Sequence, residues 1–426
     1  TNDDAQASGA GTFTYRFTTQ IGVAGAITHT VGTAVDNAGG VLIAGYTEGN
    51  LGGQTLTGTR DAFVSRYNSS GTLQWTRLTG LATKSTEATG ISADSFGELY
   101  IVGHTNGAID SQTLTGTRDM FVIKYDTAGT KQWTRLLGAT GQATYGNGIS
   151  VGSSGEVVVG GYTEGNLDGN TLTGIADFFI TYYDNSGAKQ WTRTLGAAGG
   201  TVRGLSVAIA NDIYIAGETD VALDGQSKIG AKDFFLTQYS NPAGTKAWTR
   251  QLGAAAPASS ITKANSVVVI AGQDVCVAGT TNGNLDGNTL AGTYDYFFTK
   301  YNSSGTKLIT QQRGVAGATT EAKGIAADFL NPYGIVVTGI TDGDLEGETK
   351  VGSSDLFIAR YTLAGAYDWT KLQGVSGSTT SGNGAWVDGS ANIFVGGNTN
   401  GNLDSNTLTG TQDGFAVKYD VSGVKQ

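Results

Sequence analysis

The sequence predicts an all-β fold, a seven-bladed β-propeller with four antiparallel strands in each blade. Three observations lead there. An Asp-x-Phe-x-x-x-Tyr anchor recurs at Asp61, Asp119, Asp177, Asp233, Asp295, Asp355 and Asp413, in steps of 58, 58, 56, 62, 60 and 58 residues. Self-similarity at such a period marks a repeat architecture. Each repeat holds four short runs rich in Val, Ile, Tyr, Phe and Trp, bounded by Gly, Asp, Asn and Ser, which read as strands. Finally, the third run occurs seven times and the fourth only six, and the missing copy stands at the opposite end of the chain.

The second repeat serves as template. Residues 89–93 form a first, small and partly apolar run, followed by the turn Asp94-Ser95-Phe96-Gly97 and a β-branched and aromatic run at 99–102. A long polar loop covers 105–117. A third run at 120–125 leads through Asp126-Thr127-Ala128-Gly129 to a fourth at 132–137. No stretch shows a helical period, and Gly and β-branched residues stand where a helix would be penalised. Trp75, Trp133, Trp191, Trp248, Ile309 and Trp369 mark six fourth strands, and residues 14–22 align with 74–80. The N-terminal strand is therefore expected to complete the last blade, bringing Phe17 near Tyr419. Closure removes the exposed sheet edge that would template aggregation. The predicted organisation is a flexible segment at 1–11 and one propeller domain at 12–426.

Composition narrows the function classes. Only 15% of residues are charged and the net charge is −10, without the basic stripe that nucleic acid or an anionic membrane surface would demand. No apolar run approaches the roughly 20 residues of a membrane span. The 67 glycines are about twice the usual share, and pairs such as Gly160-Gly161 and Gly396-Gly397 predict close backbone packing inside the blades. Cys276, the sole cysteine, reads as a buried inert thiol. His29 and His104 are too few for a typical zinc catalytic site. The place of His104 holds Tyr46, Tyr162, Glu218, Thr280, Ile340 and Asn398 in other repeats, a variety that predicts a solvent-facing position.

The loop between second and third strands is the main candidate for function. Its clearest copies, at 164–172, 282–290 and 400–408, combine Asn, Asp and Gly around a lone Leu. Such oxygen-rich clusters suit a hard cation, which makes calcium the candidate cofactor. Equally, Asn and Asp side chains bond their own backbone in tight turns in which Gly takes φ > 0. Both readings stay open here. On either, Asp110, Asp168, Asp224, Asp286, Glu346 and Asp404 would form an acidic ring on one face, with Gly52 the exception, and would attract cations or a basic partner. The anchor Asp, present in all seven units, reads as structural, accepting backbone N–H bonds. Symmetry breaks in the first strands: their second positions, Ala34, Ser92, Ser150, Ser206, Val268 and Ala326, are mostly small, whereas the seventh is Trp386. An aromatic ring there would narrow the central channel, stack on a ligand such as a sugar, or tuck between blades.

The run Gly-x-Thr-(Glu/Asn/Asp)-Gly, the Asp-x-Phe-x-x-x-Tyr anchor, a Gly turn and a Trp-bearing strand ending in Leu-Gly together resemble the bacterial SBBP β-propeller repeat family. Examples are Val-Val-Val-Gly-Gly-Tyr-Thr at 157–163 and Asp177-Phe178-Phe179-Ile180. The likeness covers 12–426. It implies seven blades and a secreted or cell-surface bacterial protein, and it transfers no catalytic residue. The expected function is a non-catalytic binding or adhesion scaffold, monomeric, whose partner is a host or matrix protein or a glycan. Two alternatives stand beside it. One is a structural or recently amplified propeller without a dedicated ligand. The other is a glycan-active or quinone-dependent enzyme, since residues 125–133 are similar to the tryptophan-docking repeat of quinoprotein dehydrogenases.

Overall fold

The computed structural model describes residues 17–36, 38–328 and 333–426. The proposed flexible segment at 1–11, and Thr14 to Arg16 of the closing strand, lie outside the described residues. Seven four-stranded antiparallel sheets are arranged as blades. Blades 1 to 6 span 28–79, 86–137, 144–195, 202–252, 262–313 and 320–373, and blade 7 combines 380–419 with 18–21. In blade 2 the strands, called a to d from the inside outward, are Thr86–Ala93, Leu99–Thr105, Asp119–Tyr125 and Lys131–Leu137. The predicted runs are all present, each extended by one to three residues.

Blade 7 closes as expected, by a strand stitched from both chain ends. Thr18, Thr19, Gln20 and Ile21 pair with Val417, Ala416, Phe415 and Gly414. Lys425 bridges Tyr419 at the place Lys131 takes beside Tyr125. Gln426 and Phe17 meet end to end, the Phe17 amide donating to the Gln426 carbonyl. The Phe17 carbonyl accepts from the Lys418 amide at 3.1 Å.

Seven apolar clusters fill the seven blade interfaces. Between blades 2 and 3, for example, Tyr100, Val102 and Met120 meet Ile149, Val159 and Phe179, all but Ile149 fully buried. The cluster between blades 7 and 1 contains Phe17 and Ile21 with Phe394, Val41 and Phe63, so the N-terminal strand contributes core as well as sheet edge.

Each repeat motif has a mechanical task. The anchor Asp is completely buried; Asp177 accepts from the Thr173 amide at 2.7 Å and the Gly174 amide at 2.9 Å, which fixes the loop entering strand c. The Gly that ends strand d is the counterpart: a Cβ on Gly196 would stand 1.7 Å from Asp177 Oδ1. The strand-d Trp lies on the c–d turn of the following blade, where a Cβ on Gly129 would meet the Trp75 ring at 2.9 Å. Arg77, two residues on, spans the same seam: its Nε donates to the Gly129 carbonyl at 2.8 Å and its guanidinium lies over Trp75. In the closing strand Phe17 takes the Trp position, against Gly71. Finally, the blades carry a bulge in strand a, as between Gly146 and Gly148, facing the strand-b glycine predicted to pack closely; a Cβ on Gly161 would touch the Tyr145 carbonyl at 1.9 Å.

Candidate functional site

The long b–c loops and the connections between blades share one face, as predicted: the Thr117 amide donates to the Gln142 carbonyl, and Arg118 bridges Ala143. The six acidic residues lie on the outer rim of that face. Asp110, Asp168, Asp224, Asp286, Glu346 and Asp404 all have positive φ, between 48° and 53°, and Gly52 adopts 55°. The next residue is also left-handed wherever the hairpin is tight, as in Asp168-Gly169. Two consecutive positive φ values define a type I′ turn, which favours Asn, Asp and Gly. Gly52 is thus the residue best suited to a position the other six occupy under mild strain. Asn166 Oδ1 accepts from the Leu172 amide at 2.8 Å, and Asn284 and Asn402 repeat the contact. Leu167, Leu285 and Leu403 are buried beneath.

Each acidic residue of the ring has a cationic partner. Lys131 reaches Asp110 at 2.8 Å, Lys246 reaches Asp224 at 2.6 Å and Arg313 reaches Glu346 at 2.7 Å. Lys189, Lys307 and Lys425 pair with Asp168, Asp286 and Asp404. Each cation stands on or against an outer strand, so every carboxylate pins its loop outward. Among the described residues no cluster of three or more His, Cys, Asp or Glu side chains has metal-binding proximity. These oxygens accept bonds from ammonium, guanidinium and hydroxyl groups.

Trp386 lies elsewhere. It lines the central cavity and packs at the seam between blades 7 and 1, beside Phe394, Ala34 and Val35. The structure therefore does not unite Trp386 with the acidic residues: one is axial, the others peripheral. Register also corrects one equivalence. The residue of blade 4 matching Trp386 is Ala208, paired with Tyr214 as Trp386 pairs with Phe394; Ser206 stands two places earlier, directly after the bulge and paired with Ala216.

A third location was missed in the sequence. On the loop face, at the mouth of the channel, three positions per blade converge: the second residue of strand a, its partner near the end of strand b, and the residue before strand c. In blades 1 to 4 these hold His29, Tyr46 and Arg60, then Glu87, His104 and Arg118, then Tyr145 and Tyr162, then Arg203, Glu218 and Lys232. Blade 5 adds Lys263, Thr280 and Tyr294 there and blade 6 Glu321, Ile340 and Ser354, whereas blade 7 has the neutral Ser381, Asn398 and Gln412. The result is a continuous half-buried crescent. His29 stacks on Tyr46 at 5.1 Å, with Arg60 over the same ring at 4.9 Å. Tyr145 stacks on Tyr162 at 4.6 Å, flanked by Arg118 at 5.2 Å and Arg203 at 5.1 Å, with the His104 edge 5.1 Å away.

This arrangement overturns the solvent-facing expectation for His104, whose side chain is only 13% exposed. Burial, aided by the Arg118 charge, lowers its pKa from 6.5 to about 4. His29 is likewise lowered to about 4, by burial and then by Lys323. Burial pushes the Glu87 carboxyl up, but the Ser85 hydroxyl, His104 and Arg60 outweigh it and hold it below the ordinary carboxylate range. Arg60 bridges Glu48 at 2.9 Å and Glu87 at 3.2 Å, whereas Arg118 has no carboxylate within 4.0 Å among the described residues. Cys276 is buried with its thiol pKa pushed up, as expected of an inert core residue.

The SBBP family, described as a β-propeller repeat, matches residues 74–109 and 368–404. Each match starts in strand d of one blade and ends in the b–c loop of the next. The chain is 27% identical over 377 residues to the regulatory protein FlaEY of Caulobacter vibrioides, an alignment covering 76% of this chain and 38% of that protein. Among solved structures, it is similar to a polysaccharide lyase described as an ulvan lyase, at 14% identity and a TM-score of 0.49, over 90% of this chain and 92% of that one. It is also similar to the β-propeller domain of the trilobed protease of Pyrococcus furiosus, at 10% identity and a TM-score of 0.46, over 92% and 94%. Taken with the seven sheets and the stitched closing strand, the two family matches make this chain a seven-bladed propeller that carries SBBP β-propeller repeats.

Proposed function

We propose that the protein is a non-catalytic binding scaffold, secreted or displayed on a bacterial surface, that engages a glycan or a protein partner through the crescent on its loop face. One observation carries this reading: similar blades lose their symmetry at the channel mouth, where blades 1 to 4 hold both histidines and the stacked Tyr and Arg side chains. Exposed edges of Tyr and Arg groups offer hydrogen bonds and charge on a rigid support, the usual composition of a recognition surface. The His29 imidazole supports binding over acid–base chemistry. His29 Nδ1 lies 3.2 Å from Asn398 Nδ2 and 3.1 Å from Gln412 Nε2, so that nitrogen is already occupied. The likeness to a regulatory protein accords with recognition, although this chain matches little more than a third of that protein.

The test is a glycan and matrix-protein array probed with the full chain, with and without calcium. The expected result is at least one ligand class bound equally in both conditions and lost when Arg118 and Tyr162 are both replaced by alanine. Binding that survives that double change but disappears on altering Asp168 and Asp286 would move the site to the rim.

A further inference from the structure

The crescent carries cations that lack counter-ions. Arg60 is held by Glu48 and Glu87, and Lys232 holds Glu218 at 2.8 Å. Arg118 differs. Its guanidinium lies over Tyr145, and among the described residues it has neither a carboxylate within 4.0 Å nor a hydrogen-bond acceptor. All of its N–H donors are therefore open. Arg203, over Tyr162, reaches Glu218 only at 3.4 Å, and its Nε is buried without a partner. Further round the mouth, among the described residues, Lys263 has no acceptor and Lys323 has Ser381 Oγ alone, at 2.8 Å, with Glu321 more than 4.0 Å from both ammonium groups. Half-buried cations with open donors favour an anion taken from solution.

The groups between these cations define the anion further. Tyr145 and Tyr162 stack on each other at 4.6 Å between Arg118 and Arg203, so the rings are occupied and present edges and hydroxyls outward. Neither hydroxyl has a protein partner among the described residues, and both reach solvent. An oligonucleotide would need open ring faces on which to stack its bases. In an acidic peptide the carboxylates hang on flexible stems, whose ordering weakens binding. A chain of sugar acids supplies both classes of group on rigid rings. Each unit carries a planar carboxylate, which meets a guanidinium in two parallel bonds, and hydroxyls that donate to or accept from a phenol. Glu164, two residues beyond Tyr162, is an opposing charge near that ring, but it stands more than 4.0 Å from both guanidinium groups.

We propose that the crescent binds an acidic polysaccharide, a chain of uronic acids, with one carboxylate on Arg118, a second on Arg203 and sugar hydroxyls on Tyr145 and Tyr162, the chain continuing toward Lys263. This names the ligand class of the recognition surface proposed above and rests on that role.

Isothermal titration calorimetry of the full chain with tetragalacturonate, in EDTA, tests this. The expected outcome is saturable binding, at least tenfold weaker for the fully methyl-esterified tetramer, which keeps the rings and hydroxyls and lacks the charge, and at least tenfold weaker for the galacturonate monomer, which cannot engage two guanidinium groups at once. Arg118→Gln and Arg203→Gln should each weaken the tetramer at least fivefold. Arg118→Lys should recover only part of that loss, because an ammonium lacks the fork of donors. Glu164→Gln should strengthen binding about twofold, and Lys189→Met, which removes a rim cation, should leave it unchanged. No heat at millimolar tetramer, equal binding of the ester, equal or tighter binding of a poly-glutamate peptide or a thymidine oligonucleotide, or indifference to both Arg118→Gln and Arg203→Gln would overturn the proposal. A neutral glycan or a protein whose binding is lost when Arg118 and Tyr162 are replaced would sink the acidic-sugar assignment and leave the recognition role standing; an array with no ligand at the crescent would sink both. If one arginine variant fails to fold, the other and the ester comparison still decide.

Discussion

Asp177 and Gly196 form the unit on which each blade depends. The carboxylate is sealed from water and holds two loop amides, and the absent side chain of the glycine makes room for it. Replacing Gly196 by alanine forces a methyl group against Asp177 Oδ1, and should cost about 2 kcal/mol or more by overpacking and by weakening two buried bonds. Guanidinium unfolding measures this; a loss under about 0.5 kcal/mol would contradict the assignment. The histidines give a second test. His29 and His104 are held neutral down to about pH 4, while in the unfolded chain they take up protons near 6.5. The unfolded state then binds more protons between those values, so their contribution to stability is intact above pH 6.5 and is lost as pH falls toward 4, by up to roughly 3 kcal/mol each. Thermal unfolding at pH 7 and pH 5 should show a larger drop for the native chain than for a His29→Gln, His104→Gln double variant. Equal drops would mean that the rings are solvated.

The b–c loop is a type I′ hairpin tip that rests on the outer strand. Asp168 combines a strained φ of 51° with an exposed lysine partner, two small effects of opposite sign. Asp168→Gly should therefore change stability by less than about 1 kcal/mol, as Gly52 in blade 1 implies, whereas Asp168→Val should destabilise by about 1–2 kcal/mol through a β-branched residue at positive φ. Chemical denaturation of both variants separates strain from charge. Calcium should leave the unfolding temperature unchanged, because the loop carboxylates already hold cationic partners; a rise with calcium that EDTA reverses would restore the metal reading. Gly52 is the residue that could have identified this turn in the sequence, since a glycine replacing an acid six times repeated points to backbone conformation. The crescent left no such mark. Its residues differ from blade to blade; Glu87 and His104 pair within blade 2, and Tyr145 meets His104 only because blade 3 puts its equivalent position alongside.

At the scale of the whole molecule the repeats made blade number, strand order and closure legible, because every unit reports the same contacts seven times. The anchor Asp predicted a loop lock, and the unmatched fourth strand predicted where the ring would join. What could not be read were features that depend on hairpin length, such as Ala208 rather than Ser206 at the place of Trp386, where the a–b turn of blade 4 is two residues shorter, or on packing between units, such as the burial of His104. Closure completes the cluster between blades 7 and 1, to which Phe17 and Ile21 belong. The rigid mouth and the central cavity both rest on that join. Hydrogen–deuterium exchange of peptides covering 17–22 tests it most directly. A strand built into the ring should exchange only with global unfolding, at the slow rate of the strand 413–419 beside it. Rapid exchange of 17–22, as in a frayed terminus, while 413–419 stays protected would show a ring left open and contradict the account.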